Sequence, residues 1–207
     1  MSSEKTKDLV EIGFDGSLKR KIDLNKFNDT EGIVWLGDDH FAIVEEAKCN
    51  IVIAELEPGD GGVSWKKAEK LKLDIKVNSL NGIEGLAYDP VAKRFFAARE
   101  KASAAIFKVL PPPPNSEDKP TSILMTLAGR GLKDISGLHY DGSSGRLLIL
   151  SHESACVVEA NKYGIEIQER QLTQEEQEEK TERESLSNLA TWAQKWFTEQ
   201  LMQTGEG

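Results

Sequence analysis

The sequence has little cysteine: Cys49 and Cys156 stand alone among 207 residues, with no CxxC pair and no nearby histidine pair. That scarcity excludes a zinc knuckle or a thiol redox motif, and the two thiols read as core residues. Long apolar runs are absent too, since no window approaches the roughly 18 apolar residues of a membrane-spanning helix. The start, MSSEKTKDLVEIGF, lacks the basic segment and apolar run of a signal peptide. A soluble, cytoplasmic chain without membrane insertion is expected. Cationic charge is also short: 26 Lys plus Arg face 35 Asp plus Glu, a net charge of -9, and no basic cluster is dense enough to track a phosphate backbone. Nucleic acid is not an expected partner. What remains, 39% hydrophobic and 29% charged residues, suits a folded chain with one sizeable core.

Self-similarity is what the chain has in place of these features. Gly32, Gly85 and Gly137 fall in one register with spacings of 53 and 52 residues. Each is followed by Ile33, Leu86 or Leu138, and then by Trp35, Tyr88 or Tyr140. A polar turn (LGDDH, DPVAKR, DGSSGR) and a short apolar run (FAIV, FFAA, LLIL) complete each unit, which ends in Glu46, Glu100 or His152. Two apolar runs joined by a Gly/Asp/Pro/Ser turn predict a β-hairpin, and a second strand-turn-strand segment follows each one. Four antiparallel strands per repeat of this length predict propeller blades, with inner hairpins near 31–46, 84–100 and 136–152. The leading LVEIGFDGSLKRKIDL, turning at Asp15-Gly16, reads as the outer hairpin of a further blade.

The stretches EGIVWLGDDHFAIVEEA, GIEGLAYDPVAKRFFAAREKASAAIFKV and DISGLHYDGSSGRLLILSHES resemble successive blades of the SdiA-regulated family of β-propeller proteins. The resemblance covers residues 8–171 and implies an all-β fold, an arc of a six-bladed ring, no characterised activity and a link to calcium. Against the usual family pattern, no N-terminal membrane anchor is expected here, and at residues 172–207 the sequence turns to a segment unlike a blade. That tail reads as an α-helix within 174–203: Thr173 and Glu176 have the spacing of a capping box, and Leu186, Leu189, Ala193, Trp196, Phe197 and Leu201 form one apolar stripe. The stripe is expected to cover the chain's own blade face, or a partner. Ten Glu against four Lys/Arg over residues 165–207 disfavour an anionic membrane surface.

The carboxylates recur with the repeat. Glu31, Glu84 and Ser136 share one position on the strand that lines a propeller channel; Glu46, Glu100 and His152 share another, with Glu45 and Glu153 beside it. Acids converging in a channel raise one another's pKa or recruit a cation, and calcium, which takes six to eight oxygen ligands, suits such a set. The candidate metal ligands are Glu31, Glu46, Glu84, Glu100, His152 and Glu153. The alternative is structural: a glutamate at a strand start can accept backbone N–H bonds and act as mortar between repeats. No nucleophile elbow accompanies His139, His152, Ser151 or Ser154, PPPP at 111–114 reads as a stiff loop, and GRG near Arg130 lacks the residues of a phosphate loop.

Two functions of different class follow. One is a non-enzymatic propeller binding module, with calcium as its cofactor. The other is a metal-dependent phosphoester or lactone hydrolase, in which a channel-bound ion lowers the pKa of a water. An inactive truncated product is a third reading. Three and a half repeats do not close a six-bladed ring, so a protein partner or second subunit is expected, a homodimer among the outcomes.

Overall fold

The computed structural model describes residues 8–174 and 177, apart from positions 14, 25, 47, 57–62, 76–81, 101–103, 115, 126 and 128–130. Fourteen strands make up the described chain, all in antiparallel sheets. A two-stranded hairpin, β1 (Asp8–Ile12) and β2 (Leu18–Asp23), leads. The first blade is β3 (Thr30–Gly37), β4 (His40–Glu45), β5 (Asn50–Glu55) and β6 (Glu69–Lys72). The second is β7 (Ile83–Asp89), β8 (Arg94–Arg99), β9 (Ala105–Leu110) and β10 (Thr121–Met125). The third is β11 (Gly137–Asp141), β12 (Arg146–Ser151), β13 (Cys156–Asn161) and β14 (Glu166–Gln171). Each blade runs in simple chain order, and all three inner hairpins stand where the repeat placed them. The tail helix expected within 174–203 falls almost wholly outside the described residues; at its start, the Gln177 N–H donates to the Thr173 carbonyl.

Local chemistry explains the turns. In the first hairpin Asp15 accepts the Ser17 N–H at 3.0 Å while Gly16 takes a φ of 80°. Asp89 opens the β7–β8 turn by accepting the Val91 and Ala92 N–H groups, and it pairs with the Arg94 guanidinium at 2.9 Å. Asp141 does the same for Ser143 and Ser144, and Gly145 closes that turn at a φ of 70°. Short polar side chains that bond two or three residues ahead are the usual device for such turns.

Packing then follows from the two-residue strand period. Phe95 and Phe96 are both fully buried but point to opposite faces of the second blade. Phe95 joins Val44, Ile51, Leu71 and Leu86 in the core between blades one and two. Phe96 joins Ile106, Leu147, Ile149 and Val158 between blades two and three. A third cluster backs the first blade, where Leu24 and Phe27 meet Phe41, Ile43 and Val52. Cys49 and Cys156 are buried in these cores and are not joined in a disulfide. At about 1.5–3 kcal/mol for each large apolar side chain, these seams are the main source of cohesion.

The innermost strands touch directly, β3 against β7 and β7 against β11. The repeated glycine is the contact point. A Cβ on Gly32 would lie 2.7 Å from the Leu86 backbone nitrogen and 2.8 Å from the Glu84 carbonyl oxygen. On Gly85 it would meet Leu138 Cγ at 3.0 Å and the Leu138 nitrogen at 3.3 Å. At Gly137 the nearest atom is Leu150 Cβ of its own blade at 3.6 Å, an ordinary contact. Gly32→Ala is therefore predicted to cost about 1–3 kcal/mol, Gly85→Ala somewhat less, and Gly137→Ala no more than about 0.5 kcal/mol. Urea denaturation of the three variants orders them.

A candidate cation site at the seam of the first two blades

Glu31 is the second residue of β3 and Glu84 the second of β7, so strand contact at Gly32 sets both at one end of the inner seam. Glu46 and Glu100 follow the ends of β4 and β8. The ladder returns each to its own strand entry: the Glu46 N–H donates to the Asp29 carbonyl at 2.9 Å, and the Glu100 N–H to the Gly82 carbonyl at 3.1 Å. Glu46 then reaches across the seam. A side chain on Gly82 would overlap its Cγ, Cδ and Oε1 atoms, so a residue of blade one rests on the entry to blade two.

The result is a set of half-buried acids. Asp29, Glu31 and Glu46 can each offer one oxygen within 4.8 Å of the others. Glu84 shares their field. Its carboxyl is pushed up to about 8, first by burial and then by the charges of Glu100, Glu31 and Glu46, with a hydrogen bond to Glu100 adding to the effect. Near neutral pH this acid keeps its proton because ionising it would add a further charge to a partly desolvated cluster. Such a set can do one of two things: share protons or hold a hard cation with oxygen ligands.

The site includes some expected residues and omits others. Glu31 and Glu46 belong to the close group, and Glu84 and Glu100 adjoin it electrostatically. His152 and Glu153 are exposed in the turn after β12, and the close group contains neither. In the third blade Ser136 replaces the glutamate and bonds the Leu150 carbonyl of its own sheet. Asp134 is buried there and accepts the Ser151 hydroxyl at 2.6 Å and the Glu153 N–H at 3.0 Å. Ser151 is thereby a structural residue, its hydroxyl fully buried in that bond.

Glu45 shows the mortar role. Fully buried, it accepts the Asn28 N–H at 2.9 Å and the Trp65 Nε1–H at 3.2 Å, with Lys48 beside it. Asp29 was absent from the sequence-level set. Its signal was available, since it precedes Gly32 by the same three residues that separate Asp134 from Gly137.

The family model for SdiA-regulated proteins matches residues 2–184. Among solved structures, a streptogramin B lyase superposes with a TM-score of 0.50 at 12% identity, over 83% of this chain and 50% of that one. The WD40 β-propeller domain of Doa1 gives 0.48 at 14% identity, over 71% and 42%. The virginiamycin B lyase of Staphylococcus aureus gives 0.46 at 14%, over 80% and 49%. The chain spans about half the length of these propellers.

The raised Glu84 carboxyl has a definite consequence for stability. Its folded-state value of about 8 lies above the unfolded reference of 4.5, so the folded state binds the extra proton between those limits. The stabilisation is complete below the lower limit and is lost as pH rises through the upper one. In chelator, the melting temperature of the wild-type chain is predicted to fall from about pH 4.5 to about pH 8 relative to that of Glu84→Gln, whose curve lacks this component.

Proposed function

The chain belongs to the SdiA-regulated family, and we propose that its blades form a non-enzymatic binding module organised around one divalent cation, calcium, held at the seam of the first two blades. The observation that carries this reading is the convergence of Asp29, Glu31 and Glu46 oxygens within 4.8 Å, with Glu84 and Glu100 alongside. Carboxylates gathered in a partly desolvated seam repel one another, and a doubly charged ion turns that repulsion into attraction. Calcium accepts many oxygens in a flexible arrangement, which suits a first-blade carboxylate group with further acids beside it better than the strict octahedron of magnesium. Glu46 on Gly82 already links the blades, so an ion there clamps the seam and fixes the channel rim for a ligand or protein partner.

Thermal melting across a calcium titration from chelator to millimolar ion tests the reading. A ligand bound only by the folded state adds about 2.7 kcal/mol at 100 times its dissociation constant, so the transition is predicted to move up by several degrees. Glu31→Gln combined with Glu84→Gln is predicted to abolish the shift. Gly82→Ala is predicted to reduce it as well, because the methyl displaces the Glu46 carboxylate without removing any acid. A melting temperature indifferent to calcium would leave the acids as mortar. A calcium-dependent phosphoester or lactone turnover in the same samples would replace the binding module with the hydrolase.

A further inference from the structure

The far face of the third blade lies outside the cation site and is not met by any described element. Strand register puts Gly137 and His139 of β11 on this face, with Leu148 and Leu150 of β12 and Val157 and Glu159 of β13. Among the described strands, β11 contacts β7, β8 and β12, while β12 and β13 contact their neighbours in the sheet. Yet Leu148 and Val157 are only 8% and 7% exposed. Burial also lowers the pKa of His139 on the same face. The face has the character of an interior.

We propose that the chain's own C-terminal segment covers this face, seating the stripe of Leu186, Leu189, Ala193, Trp196, Phe197 and Leu201 over Leu148, Leu150 and Val157. The segment starts beside it. The Leu172 N–H donates to the Ala155 carbonyl at 2.7 Å, which holds the exit of β14 against the β12–β13 turn. The Gln177 side chain then donates to the Leu172 carbonyl at 2.9 Å as the first helical bond forms. Neighbouring strands lie about 4.8 Å apart, so the sheet from β14 to β11 is about 14 Å wide, and the chain between Leu172 and Leu186 is long enough to bring the stripe back over it. The open glycine lets a covering element come close at Gly137. Charge does not oppose the approach: Arg146 pairs with Glu159, and Arg170 shares the face in register with Val157.

A second copy suits the position less well. Among the described residues, the leading unit of such a copy is the two-stranded β1–β2 sheet, which offers fewer strands to set beside Gly137 than a full blade. The tethered stripe also acts at an effective concentration of about millimolar, far above that of a free subunit.

Hydrogen exchange on the full-length chain tests the assignment. Trp196→Asp combined with Phe197→Asp is predicted to speed exchange in β12 and β13 by at least about tenfold, while β4 and β5 of the first blade keep their protection. Thr191→Asp, off the stripe, is predicted to behave as wild type. Leu148→Glu, made from the other side of the contact, is predicted to shift tryptophan emission to the red. Unchanged exchange in the stripe variant would overturn the proposal. So would protection of the third blade that grows with concentration alongside a dimeric mass in light scattering, since a second copy would then be the cover.

Discussion

Everything in this protein depends on how closely two innermost strands can pass. At Gly32 the backbone of the next blade runs where a side chain would otherwise stand, 2.7 Å from the position a Cβ would take. That approach lets two twisted sheets share an apolar seam, which Phe95 fills, while Phe96 fills the next seam, between blades two and three. The seam is the unit of stability: no blade buries its faces unaided, so each sheet is held by its neighbours, as in other repeat architectures.

The same approach generates the chemistry. Register carries Glu31 and Glu84 to one end of the seam, and the hairpin ladders return Glu46 and Glu100 to that end. The packing that stabilises the apolar part thus concentrates negative charge at the rim. Protonation of Glu84 relieves part of the repulsion at the cost of a pH-dependent fold. The proposed cation at Asp29, Glu31 and Glu46 would relieve it more completely, with Glu84 and Glu100 of the second blade alongside. The third blade avoids the problem: Ser136 carries no charge, and Asp134 is satisfied by Ser151 and the Glu153 N–H within its own turn. Among the described residues, the candidate site therefore lies at one seam.

The fold was legible because its signals are local and repeated. The glycine register, the Asp-initiated turns and the apolar runs each reflect a backbone requirement that recurs every 52 or 53 residues. The site was legible only in part. Glu45 and Glu46 are adjacent and chemically identical, yet one is sealed into the first blade by Asn28 and Trp65 while the other crosses the seam; strand alternation separates them, and composition does not. Asp29 lies before the strand, where the repeat is least regular, and takes a φ of 50°, a conformation that periodicity does not announce. Gly82 contributes by lacking a side chain. His152 and Glu153 share the repeat register, but the Ser151–Asp134 bond organises their turn without an ion.

The central claim is that a cation and the Glu84 proton compete for one cluster. Calorimetric titration of calcium into the full-length chain at pH 7, repeated in two buffers of different ionisation enthalpy, tests it most directly. The account predicts a single site whose apparent enthalpy depends on the buffer, with close to one proton released per ion and no release in Glu84→Gln. Binding with no change between buffers, or no binding heat in either, would contradict it.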